Sequence, residues 1–122
     1  MIKKISTNKK KRKIICFDID NVICKTKKNN YKLSKPDVTA IKIINNLYDK
    51  GFYIKIFTAR YMGRFNGNKR KVLKNRVQTL NTLKKWNVKF NELIMCKPSY
   101  DIFIDDKAFG FSKKWKKFFK KY

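Results

Sequence analysis

The chain has no histidine, which removes Ser-His-Asp and Cys-His nucleophiles and His-ligated zinc in one step. Acidic residues are also few: eight Asp and Glu stand against 33 Lys and Arg, a formal charge of +25 in 122 residues. Whatever chemistry is done here falls to Asp, Lys, Arg, Thr and Ser. The three cysteines, Cys16, Cys24 and Cys96, have neither paired nor metal-ligand spacing. Reduced, buried thiols in a cytoplasmic protein are expected, and a disulfide framework is not. The four glycines include no phosphate-cradling pattern, since Gly63 and Gly67 form neither G-x-x-x-x-G-K nor G-x-G-x-x-G. P-loop kinases and dinucleotide-binding enzymes are thereby disfavoured. No run of about 18 apolar residues exists and the N-terminus lacks a signal-peptide core, so neither a membrane span nor export by that route is expected.

Against these gaps stands an apolar content of 43%, with ten Phe, six Tyr and two Trp, ample for one packed core. Residues 1–122 are expected to form a single domain, from which a basic arm over 1–12, ending in the cluster Lys9-Lys10-Lys11-Arg12, frays. The positive charge has two readings. One is a polyanionic partner, nucleic acid above all; the other is a Lys-, Asn- and Ile-rich composition spread along every segment. The second weighs more, and self-association into a homo-oligomer stays open.

The organising stretch is Lys13 to Cys24, K-I-I-C-F-D-I-D-N-V-I-C. Its apolar row, Ile14 to Phe17, predicts a central parallel strand buried on both faces, with Asp18 and Asp20 at its carboxyl end. Lys25 to Lys35 reads as a polar loop or small flap. Pro36 and Asp37 open a helix that runs to Lys50 and stops at Gly51. Phe52 to Phe57 is a second strand leading into Thr58-Ala59-Arg60, and strand, helix and strand make a βαβ unit that sets Thr58 beside Asp18 and Asp20. Lys69 to Trp86 is a second crossover helix with Val72, Leu73, Val77, Leu80, Leu83 and Trp86 on one stripe. Leu93 to Cys96 and Ile102 to Ile104 read as third and fourth strands. Phe111 to Tyr122 closes the chain as a basic amphipathic helix that covers the sheet, a membrane surface being the alternative.

Four of the eight acids thus fall at two strand ends, Asp18 and Asp20 at one and Asp105 and Asp106 at the other. Four carboxylates brought together without a cation repel one another, so a metal held by hard oxygen ligands, Mg²⁺, is implied. The expected chemistry is phosphoryl transfer. Asp18 would be nucleophile and ligand, Asp105 a ligand, and Asp106 a ligand through water. Asp20 would exchange protons with the leaving oxygen and the attacking water, Thr58 would hold phosphoryl oxygens, and Lys97 would neutralise charge. Arg60 is expected to contact substrate phosphate or the leaving group, a surface charge being the alternative, with Tyr31 and Arg64 in the loops that recognise the leaving group. Lys107 is a weaker candidate of the same kind.

D18-I-D-N-V22, Thr58, Lys97 and D105-D106, in that order, resemble the four motifs of the haloacid dehalogenase-like (HAD) superfamily of phosphoaspartyl phosphatases, over roughly Lys13 to Ala108. The phrases N46-L-Y-D-K-G51, T58-A-R60, W86-N-V-K-F-N-E-L-I94 and K97-P-S-Y-D-I-F-I-D-D-K-A108 are similar to its small capsule or lipopolysaccharide biosynthesis phosphatases. The resemblance implies an α/β fold with a Rossmann-like parallel sheet of about four strands and flanking helices. It also implies Mg²⁺ dependence, with the main-chain carbonyl of Asp20 as a further ligand. The gaps between motifs leave no room for a cap domain, so the site should be open and the fold capless. Asn21 stands where this motif most often has Gly. The implied function is a phosphomonoester hydrolase acting on a phosphorylated sugar or similar small metabolite. The rivals are a nucleotide or polynucleotide end phosphatase and a weakly active nucleic-acid-binding module of the same fold.

Overall fold

The computed structural model describes residues 13–109 and 114–122. The basic arm over 1–12 and Phe111 of the expected last helix lie outside the described residues. The main sheet has three parallel strands, β1 (Ile14–Phe17), β4 (Tyr53–Phe57) and β5 (Glu92–Ile94), in the order β1-β4-β5. A small antiparallel pair, β2 (Cys24–Lys25) and β3 (Lys35–Pro36), stands beside it, with a 3-10 turn over Tyr31–Leu33 at its tip. Helices α1 (Val38–Asp49), α2 (Lys69–Lys74), α3 (Arg76–Lys85) and α4 (Lys114–Lys120) complete the described fold.

The register explains which face is the core. Ile15 lies opposite Ile54, and Phe17 opposite Ile56, which also faces Leu93. Because side chains alternate along a strand, these five share one face, and Ile54 and Ile56 are completely buried. Ala40, Ile41, Ile43, Ile44 and Leu47 of α1, Leu83 of α3 and Trp115 of α4 join them in one core. The other face carries Cys16, Lys55 and Glu92 in a row, and these are exposed or half-buried.

Local sequence signals account for the joints. Asp37 caps α1 by accepting the Ala40 N–H at 3.0 Å, while Pro36, expected inside the helix, pairs with Cys24 in β3. Gly51, at φ +94°, ends the helix in the left-handed region as expected. Asn91 starts the β4–β5 ladder: its side chain accepts the Ile54 N–H at 2.8 Å and its own N–H donates to the Ile54 carbonyl at 2.9 Å.

Four expectations need correction. The stretch Ile102–Ile104 forms no strand, and its side chains are exposed. As a result β1 is an edge strand instead of a central one, which leaves Ile14 and Cys16 exposed rather than buried. Cys96 is only half-buried and Cys24 alone is a buried thiol. Finally, the helix expected over Lys69 to Trp86 breaks at Asn75, whose side-chain amide donates to the Lys71 carbonyl at 3.0 Å and competes with helix continuation. Across the break Val72, Thr79 and Leu83 are buried, whereas Leu73 and Val77 of the expected stripe face solvent.

The final helix covers the core. Trp115 packs on Phe17 with ring centroids 5.5 Å apart, Tyr122 meets Phe52 edge-on, and Lys116 pairs with Asp37 at the start of α1. Among the described residues no helix is long and apolar enough to cross a membrane. Trp115→Ala should therefore destabilise the protein by about 3–5 kcal/mol, the usual cost of emptying a large aromatic site, measured by urea unfolding. The Asp37–Lys116 link adds a pH dependence. Burial works against the Asp37 carboxylate, but the Lys116 ammonium and the Ala40 N–H outweigh it and hold its pKa below the ordinary range. The stabilisation is therefore complete above the unfolded value of about 3.9 and is lost as pH falls through the lower folded value. Asp37→Asn should flatten the acid side of the stability curve, and an unchanged acid slope would show that the link contributes nothing.

Candidate active site

The carboxyl ends of β1, β4 and β5 converge. Beyond the strands the ladder continues, with Thr58 N–H donating to Ile94 O and Lys97 N–H donating to Thr58 O, both at 3.0 Å. This extension sets Lys97 beside Thr58, and the Lys97 ammonium lies 3.5 Å from Asp18 Oδ2. The other Asp18 oxygen accepts the Ile19 N–H at 2.7 Å. Burial pushes the Asp18 pKa up and outweighs the ammonium beside it. Burial also works against the charge on Lys97, but Tyr100 and Asp18 more than offset it, so its pKa is raised and it stays protonated. Thr58 is fully buried, and its Oγ1 accepts the Arg60 N–H at 3.0 Å. Its hydroxyl proton is thereby left free to donate.

Asp20 and Arg60 form the second centre. Arg60 is 2% exposed. Its Nε donates to Asp20 Oδ1 at 3.2 Å and Oδ2 at 3.1 Å, and its Nη2 donates to Oδ1 at 2.9 Å. Thr26 Oγ1 donates to the same Oδ1 at 2.6 Å, and Ser34 Oγ lies 2.6 Å from Thr26 Oγ1 and accepts from Arg60 Nη2 at 3.2 Å. Burial alone would lower the Arg60 pKa, but the Asp20 carboxylate outweighs it and the pKa is raised. Tyr31 lies over the guanidinium, 4.7 Å from ring centroid to Cζ, and its hydroxyl accepts the Tyr61 N–H at 3.1 Å.

A cavity of about 200 Å³ opens between the two centres, lined by Asp18, Asp20, Asn29, Tyr31, Arg60 and Ser99 among others. Arg64 stacks over Tyr31 and Tyr61 at the exposed rim, 5.3 and 5.2 Å from their ring centroids. Around the site Asn21 at φ 66°, Asn29 at φ 60°, Tyr61 at φ 71° and Cys96 at φ 69° all adopt the left-handed region. Asn29 lines the cavity, the other three each adjoin an expected site residue, and strained backbone of this kind concentrates at functional sites. Asn21 tolerates the angle better than most side chains do.

The expected residues are therefore divided. Asp18, Asp20, Arg60 and Tyr31 line the cavity, while Lys97 reaches Asp18, Thr58 lies buried beside Lys97 and Arg64 stacks on Tyr31 without being part of the lining. Asp105 and Asp106 do not join them: they are exposed, and among the described residues Asp105 accepts only the Lys107 main-chain N–H, at 3.3 Å. Lys107 itself is exposed. Arg60 is buried and is not a surface charge; it lines the cavity, and its guanidinium also grips Asp20, a partner the sequence did not name. Thr26, Ser34, Asn29 and Ser99 were not singled out from the sequence. They lie in polar loops without periodicity, and only the closure of β2 on β3 and the end of β5 bring them in. As arranged, these residues do not make a divalent-cation cage. Among the described residues no group of three or more His, Cys, Asp or Glu side chains could hold a metal, and Asp20 Oδ1 is saturated by Arg60 and Thr26.

No family model matches the chain, and no curated protein does. A crystal structure of an MCSG target from Vibrio cholerae is similar to it, with 26% identity and a TM-score of 0.67 over 89% of this chain and 98% of that one. The likeness reaches across nearly the whole of both chains, so the mixed α/β arrangement is common to the two.

The burial of Arg60 makes the site's stability unequal. Asp20→Ala leaves a guanidinium uncompensated in the interior and should cost about 3 kcal/mol or more. Asp20→Asn keeps an acceptor for Arg60 and should cost clearly less, and Asp18→Asn should unfold at or above the wild-type denaturant midpoint because it removes a desolvated charge. Equal midpoints for Asp20→Ala and Asp20→Asn would show that Arg60 does not depend on this partner.

Proposed function

We propose that this chain is a Mg²⁺-dependent phosphomonoester hydrolase of the HAD kind, close to the small capless capsule or lipopolysaccharide biosynthesis phosphatases, acting on a phosphorylated sugar or similar small metabolite. The observation that carries the reading is the meeting of Asp18, Thr58 and Lys97 at the carboxyl ends of three parallel strands, with Lys97 3.5 Å from Asp18. Open α/β sheets place their chemistry in this crevice, and a carboxylate beside a fixed ammonium and a free hydroxyl proton suits attack on a phosphoryl group.

One Asp18 oxygen attacks phosphorus, the bond to the leaving oxygen breaks, and that oxygen takes a proton through Asp20. Thr58 donates to a phosphoryl oxygen, and Lys97 balances charge on nucleophile and phosphate. Water then attacks the same phosphorus and gives its proton to Asp20, and the Asp18–phosphorus bond breaks to release inorganic phosphate. The net reaction is ester plus water to alcohol plus phosphate. Mg²⁺, when bound, would lessen repulsion between the carboxylate and the phosphate. Its proposed ligands are Asp18, the Asp20 carbonyl, Asp105 and Asp106. The reading also includes the finer fold, a Rossmann-like sheet in which Ile102–Ile104 pairs along the free edge of β1 and carries Asp105 and Asp106 to Asp18.

Asp18→Asn should abolish phosphate release from an aryl phosphate while the fold survives, because the amide is nearly isosteric but cannot attack phosphorus. A panel of sugar phosphates, nucleotides and 3′-phosphorylated oligonucleotides, with and without Mg²⁺, tests substrate class and cofactor together. Mg²⁺ should slow amide exchange at 102–104 in the wild type and not in Asp105→Asn. Wild-type turnover by Asp18→Asn would overturn the phosphoaspartyl mechanism. Steep loss of oligonucleotide binding with salt would move the substrate to nucleic acid.

A further inference from the structure

The carboxylate of Asp20 has two unequal oxygens. Oδ1 receives Arg60 Nη2 at 2.9 Å, Arg60 Nε at 3.2 Å and Thr26 Oγ1 at 2.6 Å, with the Cys24 thiol at 3.7 Å. Among the described residues Oδ2 receives Arg60 Nε alone, at 3.1 Å. An oxygen has two lone-pair sites, so Oδ1 is saturated and Oδ2 keeps one free. The hydroxyl protons fix the rest of the network. Thr26 has a single proton and gives it to Oδ1, so Ser34 must donate to Thr26, and Ser34 in turn accepts from Arg60 Nη2. Arg60, Ser34, Thr26 and Asp20 thus close a ring in which each hydroxyl proton has one place, while Arg60 Nε is shared between the two Asp20 oxygens and Nη2 serves Oδ1, Ser34 Oγ and the Cys24 sulfur. Tyr31 seals the guanidinium from above at 4.7 Å.

We propose that Arg60 and Thr26 are positioning residues for Asp20, which hold Oδ1 as an anchor and present Oδ2 to the cavity as the atom through which the proton passes. Arg60 does not touch substrate in this role; it acts through Asp20. The same residue's main chain holds Thr58 Oγ1 at 3.0 Å, so one arginine ties the orientation of the proton-transfer residue to that of the phosphoryl-holding hydroxyl. The inference rests on the reading of Asp18 as nucleophile and Asp20 as proton-transfer residue. It adds which oxygen works and what aims it, and it assigns functions to Thr26 and Ser34 in a loop that otherwise reads as polar linker.

The test isolates the step in which water attacks. With 4-nitrophenyl phosphate the leaving group needs no proton, so transfer to Asp18 proceeds without Asp20, and only hydrolysis of the phosphoenzyme depends on Oδ2. Arg60→Gln should slow that hydrolysis about tenfold or more, within the usual worth of a positioned acid-base group. It should release a burst of one 4-nitrophenolate per site and leave phosphoryl label on acid-quenched protein. Asp20→Asn should do the same, and the double variant should be no slower than the slower single one, because both act through one carboxylate. Arg60→Lys keeps the charge without the two-point grip, so it too should slow hydrolysis, and it carries the test if the Gln variant does not fold. Hydrolysis at the wild-type rate in Arg60→Lys, or losses that multiply in the double variant, overturns the positioning role alone. An absence of label on every protein, Asp20→Asn included, means that the phosphoaspartyl reading has failed and takes the inference with it.

Discussion

A guanidinium that is 2% exposed, in a chain of net charge +25, is tolerable only beside a carboxylate, and Arg60 has Asp20. That requirement dictates how three loops meet. Asp20 comes from the turn after β1, Arg60 from the turn after β4, and Thr26 and Ser34 from the β2–β3 pair. Replacing such a pair by apolar groups often costs nothing, so its value lies less in stability than in admitting a single arrangement. Tyr61, held at φ 71° immediately after Arg60, is strained. Its edge-on ring contact with Tyr31 and its N–H bond to the Tyr31 hydroxyl offset that strain.

The same scarcity of acid orders the rest of the molecule. Asp18, Asp37, Asp49 and Glu92 each have a lysine within 4.0 Å, Lys97, Lys116, Lys89 and Lys55 respectively. Their weights differ. Asp49–Lys89 and Glu92–Lys55 are open to solvent and contribute little. Asp37–Lys116 joins the first helix to the last, and Asp18–Lys97 joins the ends of β1 and β5 where the chemistry is proposed. With 33 cations available to eight carboxylates, which lysine pairs with which acid is decided by the fold, not by supply.

This difference between local and distant determinants explains what the sequence made legible. Strand, helix and strand over residues 14–57, the acid Asp37 at the start of the helix, the Gly51 stop and the tolerance of Asn21 for positive φ are all written in a few adjacent residues. The grouping of Asp18, Thr58 and Lys97 follows from parallel pairing, which length and pattern imply. The partner of Arg60 is forty residues away in sequence, and no period or motif names it, so it read as a substrate contact. Asn75 misled for the opposite reason, since its side-chain bond to Lys71 is local but overrides a helical stripe that continues on both sides. At 102–104, apolar composition alone suggested a strand, yet composition does not supply a pairing partner.

That last segment concentrates what is unresolved in energy terms. Ile102, Phe103 and Ile104 are 77, 50 and 93% exposed, an unfavourable display of apolar surface, while the outer edge of β1 has no strand beside it among the described residues. Pairing the two would relieve both costs at once, but it would also bring Asp105 and Asp106 toward Asp18, and a carboxylate already desolvated resists further negative charge. Asp101, Asp105 and Asp106 are the acids with no lysine or arginine within salt-bridge distance among the described residues. Lys97 offers Asp18 one positive charge, which cannot balance three carboxylates. A divalent cation could, and on the proposed reading the balance between a three-stranded and a four-stranded sheet is therefore set by the same ion that the chemistry calls for. Sheet completion and site assembly would then be one equilibrium, driven by apolar burial and restrained by charge until the cation binds.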